Sequence, residues 1–342
     1  MRTIAIVNQK GGCGKTTTAI NLGSVLAASG RRVLIVDMDP QSHCAACLGV
    51  PDSKLEWGIG EVLREGPASR KIGDGLLWEV MRNLWLAPST VRLAQLESPN
   101  DPMAIAPDRD RRLSKILDVL STQFDWCLVD CPPHIGLLTF NAVRAADEVL
   151  IPVETGYLAM KGSEKQEVTI ESASRYMGRE LPIRVLPTMH RPNSRVAGDV
   201  IGVLQRRFGE RLLPVPIREH EILREAAVLG QSIAEYAPGS EAATDFRALA
   251  QWLEAHPVKV MRNATLSTEP GWSIPDEGAP SEADVETEVT AEVASPWGIG
   301  TDSPTLDTLG DRELRRNERM AEVMRRMEML RGNLSSGGNQ SA

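Results

Sequence analysis

Short apolar runs alternate with stretches of helical periodicity over about the first 256 residues of the chain. The runs are four to eleven residues long and rich in β-branched residues, which is typical of strands. The predicted strands span residues 3–8, 31–41, 84–87, 126–133, 148–153, 181–188 and 212–217. Apolar residues spaced by three and four predict helices over residues 18–27, 58–64, 91–96, 112–120, 160–177, 196–208 and 241–253.

This alternation predicts the fold class. Strands that alternate with helices are typical of an α/β protein with a doubly wound, mostly parallel sheet. Several of the strands are apolar throughout, as expected where helices cover both faces of a sheet. Ligands of such folds bind at the carboxyl ends of the strands, so the residues that follow each run are the candidates for a binding site.

The first strand is followed by the sequence Q-K-G-G-C-G-K-T-T at residues 9–17, which leads directly into the first predicted helix. A glycine turn between a strand and a helix N-terminus presents backbone N–H groups and the helix dipole to one small volume, which suits a phosphate. In such a loop Lys15 can reach the β- and γ-phosphates and the hydroxyl of Thr16 is placed for Mg²⁺. The alternative is a glycine turn that carries two surface lysines and binds no phosphate.

The loop resembles the deviant Walker A motif of the ParA/MinD family of P-loop ATPases. Gln9 occupies the position of the usual first glycine, and a second lysine, Lys10, stands beside it. The resemblance implies ATP and Mg²⁺ as cofactors and a homodimer that sandwiches two ATP molecules, with Lys10 reaching the partner's nucleotide. The implied nucleotide-binding residues are Lys10, Gly11, Gly12, Cys13, Gly14, Lys15, Thr16, Thr17, Pro187 and Thr188, the last two lining the adenine pocket.

Carboxylates follow two of the buried strands. Asp37 and Asp39 end the second strand in a D-M-D-P-Q segment, and Asp130 ends the strand that begins at residue 126. The family resemblance implies that Asp39 orients the attacking water, which makes Lys10, Lys15 and Asp39 the catalytic candidates. It also implies a Mg²⁺ shell of Thr16, Asp39 and Asp130. The alternative for Asp39 is a cap for the next helix.

The cysteines and the charge limit the possible functions. The five cysteines lack the repeated paired spacing of a zinc site, and no signal peptide precedes the first strand, so we expect a reduced, cytoplasmic protein. Cys131 allows an iron–sulfur interpretation, but a small buried thiol is favoured because no cluster-ligand motif accompanies it. The net charge is −8, yet the first 262 residues carry 31 charges of each sign. A DNA-binding surface must therefore be a local patch.

The composition changes after the last predicted helix. Residues 264–304 contain no Lys or Arg and are rich in acidic residues, Pro, Ser, Thr and Gly, which is typical of disorder. We therefore predict an ATPase domain over residues 1–258, a disordered acidic linker over 259–305, an amphipathic helix over 306–332 and a disordered tail over 333–342. The helix carries seven arginines against six acids, which favours a protein partner or self-association over a membrane.

One segment departs from the family pattern. Residues 217–226 place Glu219 and Ile222 where partition ATPases have DNA-contacting arginines, with Arg218 and Arg224 nearby. The resemblance alone leaves open whether this patch is rebuilt or lost. Other candidates for DNA contact are Arg191, Arg195, Arg206 and Arg207.

Together these features predict a ParA-type ATPase that drives chromosome or plasmid partition through ATP-dependent, nonspecific DNA binding. The resemblance implies a ParB-like activator and a nucleoid-associated, cytoplasmic location. A MinD-like regulator of division or flagella, associated with a membrane or scaffold, is the alternative. A third possibility is a reductase or biosynthetic enzyme of the same superfamily.

Overall fold

The computed structural model describes residues 1–73, 75–156, 171 and 180–258. The predicted helix over 160–177, the acidic linker and the C-terminal helix lie outside these residues, apart from residue 171. The described part contains seven strands, which are β1 (Arg2–Ile6), β2 (Val33–Asp37), β3 (Trp78–Met81), β4 (Leu84–Ala87), β5 (Trp126–Asp130), β6 (Glu148–Glu154) and β7 (Ile183–Thr188).

The strands form one sheet in the order β3-β4-β2-β5-β1-β6-β7. All neighbouring strands are parallel except β3, which pairs antiparallel with β4 at one edge. The α-helices of the described residues are α1 (Lys15–Ala28), α2 (His43–Cys47), α3 (Ile59–Glu65), α4 (Arg112–Leu120), α5 (Leu137–Ala145), α6 (Arg195–Phe208), α7 (Ile222–Val228), α8 (Ile233–Tyr236) and α9 (Glu241–Ala255). Within the described ranges, no helix is both long enough and apolar enough to cross a membrane.

Successive strand residues pack into opposite layers, as the period of two requires. Ile4 and Ile35 join a core with α1 and α9, whereas Ala5 and Leu34 join a second core with α3, α4, α5 and α6. Both layers exclude water from the central strands, which explains why these strands are apolar throughout. The doubly wound, mostly parallel α/β fold predicted from the sequence is therefore confirmed.

Two local predictions were wrong. Residues 212–217 form no strand: Leu212 makes one isolated bridge with Val185, and the next bridge, between His190 and Arg218, lies just after the segment. Pro214 and Pro216 lack the N–H groups that a continuous ladder needs. Residues 91–96 lie in a 3-10 helix, Val91–Glu97, rather than an α-helix.

A buried charge cluster fixes the amino-terminal edge of the sheet. The carboxylate of Glu148 is almost fully buried and lies 2.6 Å from Nε of Arg2 and 2.7 Å from Nε of Arg184. Both guanidinium groups also donate to the end of α9, Arg2 to the Leu253 carbonyl and Arg184 to the His256 carbonyl. This cluster joins β1, β6 and β7 to the last helix of the domain.

Candidate functional site

The loop between β1 and α1 adopts the conformation expected of a phosphate cradle. Gly12 and Gly14 have φ angles of +73° and +90°, which are left-handed values that favour glycine. No side chain caps the N-terminus of α1, and its first turn carries no acidic residue. A Cβ built on Gly11 or Gly12 would meet no atom within 4 Å, so space for a phosphate lies beside the backbone. The loop therefore fits an anion at the positive end of the helix dipole.

The two lysines of the loop have different surroundings. Lys15 is only 7% exposed, and its ammonium donates to the Lys10 carbonyl oxygen at 3.2 Å. Lys10 has a side chain about one-third exposed, and its ammonium lies 2.5 Å from Oε2 of Glu154 at the end of β6. Lys15 is thus directed along its own loop, whereas Lys10 lies at the rim.

The strand register brings the predicted carboxylates together. Asp37 and Asp130 are direct neighbours across β2 and β5, and Asp130 is also opposite Ile6 at the end of β1. The hydroxyl of Thr16 donates to Oδ2 of Asp130 at 2.6 Å. The other oxygen of Asp130 is buried without a hydrogen-bond partner among the described residues. An unpaired buried carboxylate oxygen beside a hydroxyl suits the hydrated shell of Mg²⁺.

The electrostatics of this edge also favour a cation. Burial raises the pKa of Asp130 to about 6, and its hydrogen bonds from Thr16 and Cys44 oppose that shift. Burial and the charge of Asp130 together raise the pKa of Asp37 well above its usual value. A divalent cation would relieve this repulsion, because it favours the ionised form of both carboxylates.

Asp39 begins the segment that connects β2 to α2. Its side chain accepts the backbone N–H of Gln41 at 2.9 Å, and its carbonyl accepts the Ser89 hydroxyl at 2.6 Å. The N-cap residue of α2 is Ser42, so the alternative that Asp39 caps this helix is wrong. Asp39 lies at the same strand edge as Asp130 and remains the predicted water-orienting residue.

Cys44 is a residue of the site that the sequence did not identify. Its thiol donates to Oδ2 of Asp130 at 3.4 Å, and its backbone N–H donates to Oδ2 of Asp37 at 3.2 Å. Burial, followed by the charges of Asp37 and Asp130, raises the pKa of the thiol well above its usual value. The thiol is therefore protonated at neutral pH and acts as a donor.

The predicted adenine-binding residues lie beside the loop. The Thr188 hydroxyl donates to the Cys13 carbonyl at 2.8 Å, and Thr188 lines a cavity of about 140 Å³ with Gly14, Ile217 and other side chains. Pro187 does not line this cavity, but its carbonyl accepts the N–H of Ile217 at 2.9 Å and so holds one wall in place.

Carboxylates pair with the arginines around segment 217–226. Arg218 binds Asp245 at 2.7 Å, Arg224 binds both Glu219 and Glu221, and Arg191 also binds Glu219. These contacts neutralise much of the positive charge that the sequence suggested for this segment. Other arginines lie exposed on or just after α6, namely Arg195, Arg206, Arg207 and Arg211.

The remaining prediction about cysteine concerns Cys131. Its side chain is fully buried, and its sulfur lies 3.7 Å from the Val129 carbonyl. Among the described residues, the one cluster with metal-ligand geometry consists of Asp37, Cys44 and Asp130, which is not an iron–sulfur ligand set. These contacts agree with a small buried thiol.

Comparisons with known proteins agree with this geometry. A family model described as an AAA domain matches residues 1–183. The sporulation initiation inhibitor protein Soj of Bacillus subtilis is 34% identical over 75% of this chain and 99% of its own length. The chromosome partitioning protein ParA of Myxococcus xanthus is 35% identical over 74% of this chain and 87% of its own length.

A solved structure provides the comparison for the ligands. Cobyrinic acid a,c-diamide synthase of Mycobacterium smegmatis, solved with ADP and magnesium, is 30% identical with a TM-score of 0.62, covering 75% of this chain and 95% of that one. This agrees with ATP and Mg²⁺ as the cofactors of the present fold. The chain therefore belongs to the ParA/Soj family of P-loop ATPases, and it is a partition ATPase that uses ATP and Mg²⁺.

Proposed function

We propose that this ATPase dimerises around two ATP molecules and that the ATP-bound dimer binds DNA nonspecifically to partition a chromosome or plasmid, or to position another intracellular cargo. The position of Lys10 carries the proposal. Its side chain lies at the rim of the loop and is about one-third exposed, whereas Lys15 is buried within the same loop. A lysine at the rim can reach a nucleotide held by a second copy of the chain.

We assign hydrolysis to the acidic residues at the carboxyl ends of β2 and β5. Thr16, Asp39 and Asp130 would hold Mg²⁺, which would neutralise developing charge on the phosphates. Asp39 would orient the attacking water, and a ParB-like activator would accelerate this step and release the monomers. The proposed location of the cycle is the nucleoid surface in the cytoplasm.

The DNA contacts are assigned to the region of α6. Phosphate binding requires clustered cations on an exposed surface. Arg206 and Arg207 are adjacent and exposed in the last turn of α6, whereas three acids, Glu219, Glu221 and Glu225, interleave with the arginines of segment 217–226. Arg206 and Arg207 therefore supply the positive patch better than segment 217–226.

Fluorescence polarisation of a random-sequence duplex tests this proposal. The duplex is titrated with protein in Mg·ATP, in Mg·ADP and without nucleotide, at two salt concentrations. We expect salt-sensitive binding only with ATP, and a weaker affinity with a shallower salt slope for the double variant Arg206→Ala/Arg207→Ala. The matched control, Arg218→Ala/Arg224→Ala, should have a smaller effect. ATP-dependent dimers that bind no DNA in any nucleotide state would contradict the DNA-based mechanism.

A further inference from the structure

Cys44 contacts both buried carboxylates, Asp37 and Asp130, at the carboxyl ends of β2 and β5. Its thiol donates to Oδ2 of Asp130, and its backbone N–H donates to Oδ2 of Asp37. Asp37 is the first carboxylate of the D-M-D-P-Q segment, and Cys44 lies in α2, the helix that follows it. One residue therefore joins that helix to the carboxylates of two neighbouring strands.

Asp130 receives its hydrogen bonds unevenly. Oδ2 accepts one from the Thr16 hydroxyl at 2.6 Å and one from the Cys44 thiol at 3.4 Å. Oδ1 is buried and has no partner among the described residues. Because two donors engage the same oxygen, they restrict rotation of the carboxylate and leave the second oxygen available.

The segment between Asp39 and Cys44 is anchored at both ends. The Ser89 hydroxyl donates to the Asp39 carbonyl at 2.6 Å, and the Ser42 hydroxyl donates to the Ser89 carbonyl at 2.8 Å. Ser42 has a φ of +55°, an unfavourable value for a residue with a side chain, so these contacts hold it in a strained conformation. A displacement at Asp39 is thus expected to move Cys44.

We propose that Cys44 is a positioning residue of the Mg²⁺ site, whose thiol orients the Asp130 carboxylate and couples the Mg²⁺ affinity to the position of segment 39–44. The inference rests on the proposed assignment of Asp130 to the Mg²⁺ shell. Hydrogen bonds to the residues around a metal orient them and tune metal affinity. The Cys44 side chain is fully buried and its thiol contacts Asp130, so it acts through Asp130.

The same atoms could instead bind a thiophilic cation, because ligand atoms of Asp37, Cys44 and Asp130 lie within 4.8 Å of one another. The hydrogen bonds favour the donor role. Both oxygens of Asp37 already accept backbone N–H groups, one from Asp39 at 3.0 Å and one from Cys44 at 3.2 Å. The Cys44 thiol also donates to Oδ2 of Asp130, which leaves Oδ1 as the available oxygen of that carboxylate.

The test compares three variants of the full chain with the wild type. Cys44→Ala removes the donor, Cys44→Ser retains one, and Cys127→Ala removes a buried thiol from the apolar part of β5. The first measurement is the Mg²⁺ concentration that half-saturates binding of fluorescent ADP, which requires neither dimer formation nor DNA. We expect Cys44→Ala to raise it by about tenfold, and we expect Cys44→Ser and Cys127→Ala to remain near the wild-type value.

The second measurement is the infrared S–H stretch of Cys44, obtained as the difference between wild type and Cys44→Ser. We expect it at lower wavenumber than the Cys127 band, and we expect it to shift when Mg²⁺ and ADP bind. This spectrum tests the contact even if Cys44→Ala does not fold.

Two results would overturn the inference. One is a Cys44 band at the Cys127 position that Mg²⁺ and ADP do not change. The other is equal Mg²⁺ dependence of Cys44→Ala and Cys127→Ala. The variant Asp130→Asn tests the proposed Mg²⁺ site independently of Cys44: unchanged Mg²⁺ dependence would show that Asp130 does not belong to the site. Absence of DNA binding would affect only the partition mechanism.

Discussion

The Lys10 ammonium lies 2.5 Å from Oε2 of Glu154, although 144 positions separate the two residues in the chain. Each side chain is about one-third exposed, so the ion pair is accessible to water and weak enough to exchange. Asn8 holds Lys10 near β6, because its side chain accepts the backbone N–H of Lys10 at 2.9 Å and donates to the Pro152 carbonyl at 2.7 Å. If the chain dimerises as proposed, Glu154 would compete with the partner's nucleotide for Lys10.

Replacing Glu154 by Gln should promote the ATP-bound dimer. An exposed ion pair contributes up to about 1 kcal/mol and a symmetric dimer releases two of them, so the protein concentration at half dimerisation should fall by up to about thirtyfold. Light scattering in Mg·ATP measures this concentration. Lys10→Ala should bind ATP as a monomer and is the control for loss of the lysine itself. A Glu154→Gln protein that dimerises less readily than wild type would contradict competition.

Two replacements of Asp39 separate the effect of its charge from the effect of its hydrogen bond with Gln41. Asp39→Asn keeps an acceptor for the Gln41 N–H but loses the charge, whereas Asp39→Ala loses both. If the carboxylate orients water, both variants should bind ATP and lower turnover by at least about a hundredfold. Both should accumulate as ATP dimers in light scattering. Wild-type turnover by Asp39→Asn would leave Asp39 a structural role only.

The stability of the nucleotide-free protein should depend on Asp130. Its pKa is raised from an ordinary value near 4 to about 6 in the folded state, so ionisation opposes folding increasingly between about pH 4 and pH 6, and the cost is about 3 kcal/mol at neutrality. As the pH falls from 7.5 to 5.5, the folded form binds the proton more tightly and this cost decreases. In EDTA, the Tm of the wild type should therefore rise relative to the Tm of Asp130→Asn as the pH falls from 7.5 to 5.5.

The pH dependence of Tm needs two controls, one at an exposed carboxylate and one with the cation bound. Asp52→Asn replaces an exposed carboxylate and should keep the wild-type pH dependence. Saturating Mg·ADP should reduce the wild-type difference, because the cation compensates the ionised carboxylate. Wild type and Asp130→Asn with equal pH dependence would contradict the burial argument.

Replacing Glu148 by Gln should destabilise the domain. The change leaves Arg2 and Arg184 close together without their shared buried counter-charge, at a cost of roughly 3 kcal/mol. Urea unfolding measures the loss. The control Glu254→Gln removes an exposed pair with Arg31 and should cost less than about 1 kcal/mol. Similar losses for the two variants would show that burial of Glu148 has little effect.

The sequence predicted the parts of the structure that depend on local pattern. The apolar runs of β2 and β5 identified central strands, and the acids at their ends identified the catalytic edge, because parallel strands end together. The pattern failed where few residues carry the signal. β3 has only four residues, with Glu79 exposed, and pairs antiparallel at an edge. Segment 212–217 is apolar, but its two prolines prevent a continuous ladder.

Long-range contacts could not be predicted from the residues that make them. Glu154 follows an apolar strand like many other polar residues, and nothing near it indicates Lys10. Cys44 is 86 positions from Asp130, and a single cysteine in a short helix carries no pattern. Likewise, only the three-dimensional structure shows that Arg218 is paired with Asp245, 27 positions away. The register of the sheet and the packing of α2, α7 and α9 determine these contacts.

The first helix begins without a side-chain cap and without an acid in its first turn. The N–H groups of its first turn have no side-chain cap, so a nucleotide phosphate bound in the loop would serve as the missing cap of α1. Binding at a hundred times the dissociation constant would add about 2.7 kcal/mol to the stability of the fold. The cellular nucleotide supply would then govern how long this protein survives proteolysis as well as how fast it cycles.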